Sequence, residues 1–222
     1  MLKFCSLYSG SSGNSLLIES EKTKLLVDCG TSAKKITTAL DNLSIDITDI
    51  DAILVTHEHT DHIQSLGTIS KKYNIPVFAN FETWNAMPKQ KEKIESKNIN
   101  TFINDTEFQI GNLQIYPFST PHDAANPCGF SIVKGDKKLS IATDLGHMNN
   151  AIFENLKGSS FVLLESNYEP EVLKMSNYPF ALKKRIAGPH GHLSNNDAGQ
   201  TISALIHKDL KEVMLRTFKQ RK

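Results

Sequence analysis

The sequence predicts an α/β fold in which two β-sheets pack together and helices cover their outer sides. Strand-like segments fill the first 28 residues and recur between residues 101 and 143, and helical segments follow both β-rich regions. The 222 residues, 39% of them hydrophobic, suffice for one large domain with a stable core. No repeat, linker or change of composition divides the chain, so we expect a single domain over residues 1–222.

The first half of the chain alternates between strands and helices. Short apolar runs bounded by turn residues predict five strands, Leu2–Tyr8, Asn14–Glu19, Lys24–Asp28, Ala52–Val55 and Pro76–Ala79. Apolar residues at helical spacing predict three helices, Thr31–Leu43, Ile63–Tyr73 and Phe81–Lys97. The first of these helices opens with Thr and Ser, which are residues that cap helix N-termini.

The second half begins with β-structure and ends with helices. The turns Gly111-Asn112 and Gly135-Asp136 lie between apolar runs and predict two hairpins. The predicted strands are Glu107–Ile110, Leu113–Phe118, Gly129–Lys134, Leu139–Thr143, Phe161–Leu164 and Val213–Leu215. The predicted helices are Met148–Lys157, Pro179–Ala187 and Asn195–His207.

Composition excludes several classes of protein. Lys and Arg number 25 against 24 Asp and Glu, so any contact with nucleic acid must come from local patches rather than an overall basic field. Three widely spaced cysteines without a CxxC motif argue against a disulfide framework. No stretch approaches the roughly 18 apolar residues of a membrane span, and the N-terminus lacks the apolar region of a signal peptide. We therefore expect a cytoplasmic protein that does not associate with membranes.

The strongest chemical signal is the motif HEHTDH at residues 57–62, directly after the fourth predicted strand. Its three imidazoles and one carboxylate can surround two adjacent cations, with His57 and His59 on one and Asp61 and His62 on the other. Imidazole together with carboxylate suits Zn²⁺, Mn²⁺ or Fe²⁺ rather than Ca²⁺ or Mg²⁺. The alternative interpretation is a polar turn with surface histidines.

Two further predicted strands end near a histidine and an aspartate. His122 follows the strand Leu113–Phe118, and Asp144 follows the strand that contains Leu139. We expect both residues to converge with the HEHTDH motif, on the premise that their strands are neighbours of Ala52–Val55 in one sheet. Taken alone, a strand-end aspartate is more often a turn or cap residue.

Together these motifs resemble the metallo-β-lactamase-fold hydrolases, and within them the YycJ/WalJ-type subfamily of small bacterial members. The segments that carry the resemblance are SGSSGNS (9–15), LVDCG (26–30), HEHTDH (57–62), PHDA (121–124), TDLG (143–146), ESN (165–167) and GHLSN (191–195). The resemblance covers nearly the whole chain. It implies a four-layer αββα sandwich with two metal ions at one sheet edge, and a 5′→3′ exonuclease activity on DNA.

The resemblance also implies which residues bind the ions and which take part in catalysis. The implied ligands of two divalent ions, zinc or manganese, are His57, His59 and His122 for the first ion, Asp61 and His62 for the second, and Asp144 as a bridge between them. Asp28 corresponds to the family's strand-end aspartate, which orients the histidines through hydrogen bonds. Asp61 would also orient the attacking water that the two ions activate, and His192 would assist the scissile phosphate.

Two segments are candidates for phosphate contacts. They are Ser11, Ser12, Gly13 and Asn14 in a turn rich in donors, and Lys183, Lys184 and Arg185 in a basic run before the GHLSN motif. A plain hairpin turn and a solvated helix face are the alternative interpretations. We expect a nucleic-acid partner, either single-stranded DNA or DNA ends. An RNA-processing nuclease, a thioesterase or a lactonase on the same fold would share the metal ligands and stays open as an alternative.

The end of the chain departs from the family pattern, in which a histidine for the second ion follows the last strand and a further helix and strand complete the fold. Among the degenerate codon choices for the last six residues, Thr-Phe-Lys-Gln-Arg-Lys, and a stop is the series ACA TTT AAG CAA AGA AAA TAA. Read from the second base, the same letters encode His-Leu-Ser-Lys-Glu-Asn, which is the family motif. We therefore expect a frameshift near Leu215 and Arg216, an incomplete C-terminus, no dedicated pocket for Phe218 and a weakened second metal site. A chain of low or no activity is the alternative to an active nuclease.

Overall fold

The computed structural model describes residues 1–216 and confirms the α/β class. Within these residues the chain forms helices and two six-stranded β-sheets, each with parallel and antiparallel pairs. Residues 217–222, which include Phe218 and carry the reading-frame hypothesis, lie outside the described residues.

The first sheet is antiparallel from β1 to β3 and parallel from β3 to β6. In sheet order its strands are β1 (Lys3–Tyr8), β2 (Ser15–Glu19), β3 (Lys24–Val27), β4 (Ala52–Leu54), β5 (Val77–Asn80) and β6 (Ile99–Phe102). Because β3 and β4 are parallel neighbours, their carboxyl ends lie at the same edge of the sheet. This edge brings the residue after β3, Asp28, next to the chain that leads into the HEHTDH motif.

The second sheet ends in three parallel strands. In sheet order its strands are β12 (Glu212–Arg216), β11 (Phe161–Glu165), β10 (Lys137–Ala142), β9 (Cys128–Lys134), β8 (Leu113–Ser119) and β7 (Phe108–Ile110). β10, β11 and β12 are parallel, whereas β9 pairs antiparallel with β10 and β7 with β8. The carboxyl ends of β10, β11 and β12 therefore lie at one edge.

Nine helices connect the strands of the described chain. They are α1 (Ala33–Asp41), α2 (Thr60–Ile63), α3 (Leu66–Tyr73), α4 (Phe81–Ala86), α5 (Pro88–Lys91), α6 (Asn150–Leu156), α7 (Pro170–Met175), α8 (Phe180–Ile186) and α9 (Asn195–Leu205), with short 3₁₀ turns at Ile47–Asp49 and Ser96–Asn98. Side-chain caps fix where four of them begin. At the start of α1, α4, α6 and α9, a side chain accepts a hydrogen bond from the backbone N–H three residues later; the capping residues are Ser32, Asn80, Asn149 and Ser194.

Two predicted helices are divided in the structure. The predicted helix Phe81–Lys97 is interrupted after Ala86, the last residue of α4. Pro88 has no N–H, and Met87 before it takes a non-helical conformation with φ −120° and ψ 52°. The predicted helix Ile63–Tyr73 is α2 followed by α3, and α2 begins at Thr60, inside the HEHTDH motif.

The sequence does not predict two of the elements, β6 and α7. β6 contains Asn100 and Thr101, which weaken the apolar pattern of a strand, and it forms by pairing with β5. α7 has six residues, too few to show a helical period, and it begins at a proline. Both elements thus depend on local chemistry or tertiary pairing that periodicity does not capture.

The chain divides into two compact units. Unit 1 consists of Met1–Ile115 with Ala124–Asn126, and unit 2 of Tyr116–Asp123 with the chain from Pro127 onward. Each unit has its own apolar core, which includes Leu26, Ile53 and Trp84 in unit 1 and Phe118 and Leu164 in unit 2. That residues 1–222 form a single metallo-β-lactamase-fold domain stays a prediction.

The cysteines agree with the prediction from their spacing. Cys5, Cys29 and Cys128 are all free thiols. Cys29 and Cys128 are buried, and Cys5 is partly exposed. None of the helices in residues 1–216 is both long and apolar enough to cross a membrane.

Candidate metal centre

Three imidazoles lie close together in the histidine loop, residues 57–62, which follows β4 in unit 1. His57 and His62 are each 1% exposed, and their ring centroids lie 4.1 Å apart. The Nε2 atom of His57 lies 3.0 Å from the Nδ1 atom of His59. Asp61 is one-third exposed, and its Oδ2 lies 3.8 Å from Nε2 of His62. The loop thus brings together four side chains that can bind a cation.

Asp28 and Thr56 determine which nitrogen of each buried histidine carries the proton. The Thr56 hydroxyl donates to Oδ2 of Asp28 over 2.8 Å, so the Nδ1 atom of His57, 3.0 Å from that hydroxyl, must be the donor to it. The Nδ1 atom of His62 donates to Oδ2 of Asp28 over 2.7 Å. The Nε2 atoms of His57 and His62 therefore keep their lone pairs. The hydrogen bond expected between Asp28 and the histidines is present.

Asn14 holds the histidine loop from the other side. Its side-chain amide donates to the Asp61 carbonyl over 3.1 Å and to Nε2 of His62 over 3.0 Å. Asn14 is 2% exposed, so its side chain faces the loop rather than solvent. The neighbouring Ser11 and Ser12 are exposed. Phosphate contact by the turn of Ser11, Ser12, Gly13 and Asn14 stays a prediction.

Gly30 lets the backbone before α1 approach the histidine loop closely. A Cβ atom at this position would overlap the Asp61 carbonyl and lie 2.7 Å from the backbone nitrogen of Asn14. We expect Gly30→Ala to lower the free energy of unfolding by about 1–3 kcal/mol, because the backbone of the loop must shift. Urea denaturation measures this change.

Gly199 in α9 is the matched control for this substitution. A Cβ atom there would meet no atom within 4 Å. Gly199→Ala should raise the free energy of unfolding by about 0.5–1 kcal/mol, because alanine favours the helix. Equal effects of the two substitutions would contradict the close approach at Gly30.

In unit 2, three parallel strands deliver charged side chains to one edge of the second sheet. Asp144 follows β10, Glu165 ends β11 and Arg216 ends β12, where it pairs in register with Glu165. All three side chains are buried. Arg216 Nη1 donates to Oδ2 of Asp144 over 3.1 Å. Buried charges of this kind require partners, and here each has one.

Glu165 is a site residue that sequence reasoning missed. It is fully buried, and its Oε1 accepts from Nδ1 of His192 over 2.7 Å. Its Oε2 accepts from the backbone N–H groups of Leu145 and Leu193. Glu165 thereby joins the turn after Asp144 to the segment that carries His192. A glutamate at the end of the apolar run FVLL was the available signal, because an unpaired carboxylate is not buried at such a position.

His122 is oriented by the same region of unit 2. Its Nδ1 donates to the Gly191 carbonyl over 2.9 Å, and its ring centroid lies 5.2 Å from that of His192. Asp123 lies beside it, with Oδ1 3.4 Å from Nε2 of His122, and is paired with Arg185 through a 2.6 Å contact. Asp144, Glu165 and His192 each offer a ligand atom within 4.8 Å of the others.

The surroundings shift the pKa values of the two histidines of unit 2 in opposite directions. Burial lowers the pKa of His122, and the negative charge of Asp144 offsets part of this effect. Burial also acts to lower the pKa of His192, but the hydrogen bond and charge of Glu165 outweigh it, and the pKa of His192 is raised. His192 therefore holds a proton more readily than an ordinary histidine.

The two strand-end aspartates share an uncommon backbone conformation. Asp28 has φ +64° and Asp144 has φ +56°, the left-handed region that most residues other than glycine avoid. Such strain persists only where surrounding structure enforces it, and it is frequent at functional sites. Each aspartate points its carboxylate at a charged or polar partner, His62 of α2 for Asp28 and Arg216 at the end of β12 for Asp144.

The histidine loop suits a divalent transition-metal ion. A tetrahedral ion with bonds of about 2.0–2.1 Å holds adjacent ligand atoms about 3.3 Å apart, and Nε2 of His57 lies 3.0 Å from Nδ1 of His59. The hydrogen bond from His62 to the Asp28 carboxylate is of the kind that orients metal-binding histidines. The residues present therefore fit the metal that the sequence predicts.

One premise of the sequence interpretation is wrong. β4 lies in the first sheet, whereas β8 and β10, which precede His122 and Asp144, lie in the second sheet. These strands are therefore not neighbours in one sheet. Apolar runs reveal buried strands, but they do not reveal which strands pair.

The basic run predicted to contact phosphate lies within α8. Lys184 is exposed, Lys183 Nζ donates to the Lys174 carbonyl, and Arg185 pairs with Asp123. Phe180 at the start of α8 is 80% exposed. The helix thus presents cationic groups and an aromatic ring on the surface of unit 2.

Comparison with known proteins finds matches over most of this chain. The family model of the β-lactamase superfamily domain matches residues 23–212. The exodeoxyribonuclease YycJ of Bacillus anthracis is 36% identical over 214 residues, which are 96% of this chain and 81% of that protein. The exodeoxyribonuclease WalJ of Streptococcus pneumoniae D39 is 37% identical over 215 residues, 96% of this chain and 80% of that protein. The crystal structure of the metallo-β-lactamase fold protein YhfI from Bacillus subtilis matches 100% of this chain and 89% of that chain with a TM-score of 0.74 at 16% identity.

Proposed function

Because the chain belongs to the metallo-β-lactamase-fold hydrolases and is a YycJ/WalJ-type member of them, we propose that it hydrolyses phosphodiester bonds of nucleic acid. The activity we propose is that of a 5′→3′ exonuclease on single-stranded DNA or DNA ends. Two relatives at 36% and 37% identity are exodeoxyribonucleases. The observation that carries the proposal is the histidine loop, in which the contacts of Asp28 and Thr56 place the proton of His57 and His62 on Nδ1 and leave Nε2 unprotonated.

We propose the metal ligands that the family resemblance implies. The residues proposed to hold two divalent ions, zinc or manganese, are His57, His59 and His122 for the first, Asp61 and His62 for the second, and Asp144 for both. When bound, the ions would lower the pKa of the attacking water and neutralise charge on the phosphoryl oxygens. Part of the proposal is that the second ion binds more weakly than the first.

The protein's own side chains supply the proton transfers and the orientation. His192 carries a proton readily because of Glu165, and with Nδ1 held by that carboxylate it presents Nε2 as a donor to the leaving oxygen or to a phosphoryl oxygen. Asp61, one-third exposed and held through Asn14, accepts a hydrogen bond from the attacking water. His192 would thus protonate the leaving oxygen or a phosphoryl oxygen, and Asp61 would orient the attacking water. Buried partners hold both side chains in place.

The proposed phosphate contacts are the basic run on unit 2 and the donor-rich turn on unit 1. Lys183, Lys184 and Arg185 would contact phosphates, with Ser11, Ser12, Gly13 and Asn14 as further donors. Phe180 offers a ring on which a base of a single strand can stack. A helix with exposed cations beside an exposed aromatic ring favours a nucleic-acid substrate over a thioester or a lactone. The three free thiols suit a reducing compartment, and we propose a cytoplasmic location.

The function is tested by incubating the purified chain and Mn²⁺ or Zn²⁺ with four substrates: single-stranded DNA, single-stranded RNA, a thioester and a lactone. We expect DNA labelled at its 5′ end to release labelled mononucleotide first, and DNA labelled at its 3′ end to shorten stepwise. A chelator should stop both reactions. Hydrolysis of RNA, thioester or lactone but not DNA would assign the chain to another activity of the fold. No hydrolysis by the metal-loaded chain would support the low-activity alternative.

The surface proposed to contact the substrate is tested by measuring DNA binding to the variant Lys184→Glu. Binding of single-stranded DNA in the presence of a chelator should weaken, and the salt dependence should become shallower by about one phosphate contact. Lys97→Glu is the control, because Lys97 is exposed on unit 1 and pairs with Glu95. Equal effects of the two variants would exclude a specific role of α8.

A further inference from the structure

A buried arginine lies against the carboxylate that the proposed function assigns to both metal ions. The Arg216 side chain is 3% exposed, and its Nη1 donates to Oδ2 of Asp144 over 3.1 Å. Guanidinium groups stay charged at every physiological pH. The contact is therefore an ion pair from which water is largely excluded.

The topology of the second sheet explains why the guanidinium group of Arg216 lies beside Asp144. β10, β11 and β12 are parallel neighbours, and Glu165 and Arg216 pair in register at the ends of β11 and β12. This edge collects two buried carboxylates, Asp144 and Glu165. Uncompensated burial of both charges would be costly. Arg216 neutralises Asp144, while His192 hydrogen-bonds with Glu165.

A guanidinium group bound to Asp144 weakens the binding of a metal ion to the same carboxylate. Its hydrogen bond uses one of the lone pairs of Oδ2 that the carboxylate could otherwise offer to an ion. It also repels a divalent cation at short range, most strongly where burial excludes water. The other ligands proposed for the second ion are Asp61 and His62, and Nε2 of His62 already accepts from Asn14 over 3.0 Å. His62 and Asp144 thus each already hydrogen-bond with another residue of their own unit.

We propose that Arg216 is a built-in cation that competes with the second metal ion for Asp144. This inference rests on the proposed function, since it concerns the ligands of the same centre. The chain would bind one divalent ion tightly through the imidazole ligands. A second ion would bind only when it displaces the guanidinium of Arg216.

The test is the stoichiometry and affinity of metal binding, measured by equilibrium dialysis against Zn²⁺ with elemental analysis of the protein. The unmodified chain should bind one ion tightly and a second weakly. Arg216→Met removes the charge while keeping an unbranched side chain, and it should lower the Kd of the second ion by roughly 10- to 100-fold. The Kd of the first ion should change by much less. Arg216→Lys keeps a positive charge and should retain the weak second site.

Lys138→Met is the matched control. Lys138 is a half-buried cation on β10 that donates to the Lys157 carbonyl rather than to Asp144. Its removal should leave the affinity of both ions unchanged. Tight binding of two ions by the unmodified chain would overturn the inference and leave the proposed function standing. Binding of no ion by the chain or by Arg216→Met would contradict both.

A second measurement does not depend on the folding of Arg216→Met. The side-chain Nε–H signal of Arg216 in a ¹⁵N NMR spectrum of the unmodified chain, assigned with Arg216→Lys, reports on the guanidinium group whose Nη1 donates to Asp144. The first equivalent of Zn²⁺ should leave this signal in place, and only excess Zn²⁺ should shift it. A full shift with the first equivalent would overturn the inference.

Discussion

His57→Ala is expected to abolish metal binding at the first site and hydrolysis together. His57 is 1% exposed, Thr56 holds its Nδ1, and its Nε2 lies 3.0 Å from Nδ1 of His59. A bound ion would supply both the activated water and the charge that stabilises the transition state, so the rate should fall by more than about 10⁴-fold. Elemental analysis of the protein and the rate of single-stranded DNA degradation measure the two losses.

Two further variants are compared with His57→Ala, one with a smaller expected effect and one as a control. Asp28→Asn keeps the histidines and removes the carboxylate that orients His62, so metal affinity should fall by about 10- to 100-fold and excess metal should restore activity. His207→Ala changes a histidine outside the site, after α9, and should alter neither quantity. If His57→Ala binds metal as the unmodified chain does, the histidine loop is not the metal centre.

His192→Ala should lower the rate of hydrolysis by about 10²- to 10⁴-fold and leave the metal content unchanged. The imidazole hydrogen-bonds with the buried Glu165 carboxylate, and its raised pKa suits a proton donor. It is proposed to act on the substrate and not as a metal ligand. The measurements are the turnover number on single-stranded DNA and the metal content of the same preparation.

His190→Ala is the matched control for this prediction. His190 lies two residues before His192 and is exposed. Its removal should leave turnover and metal content as they are. Loss of metal from His192→Ala, or unchanged turnover, would remove His192 from the catalytic residues. Loss of metal from His190→Ala would identify His190 as a ligand that the resemblance does not assign.

Periodicity predicted the elements of the fold where their own residues determine them. The apolar run Ala52–Val55 predicts a buried strand, and β4 is there. The Thr/Ser start predicts the beginning of α1, which Ser32 caps. Periodicity failed for β6, because a strand with a weak apolar pattern forms only when β5 pairs with it. It also failed at Met87, where the conformation depends on the proline that follows.

The candidate site likewise contains residues that the sequence identifies and residues whose roles only the structure shows. HEHTDH is a local motif, so its ligand chemistry can be read from six adjacent residues. The roles of Asn14, Glu165 and Arg216 cannot be read in this way. Each depends on a partner far along the chain, Asn14 on His62, Glu165 on His192 and Arg216 on Asp144. A single polar residue has many possible partners, and its own type does not choose among them.

The sequence by itself determined the α/β class, the family and a cluster of side chains capable of binding metal, because apolar patterning, strand-end motifs and side-chain donor types are local properties. Only the tertiary structure decided which strands are neighbours, which nitrogen of His57 and His62 carries the proton, and where the charge of Arg216 is neutralised. These features depend on strand order and register, which bring together groups as distant as Asp144 and Arg216. Burial then gives each contact its energetic weight, since an ion pair or hydrogen bond matters most where water is excluded.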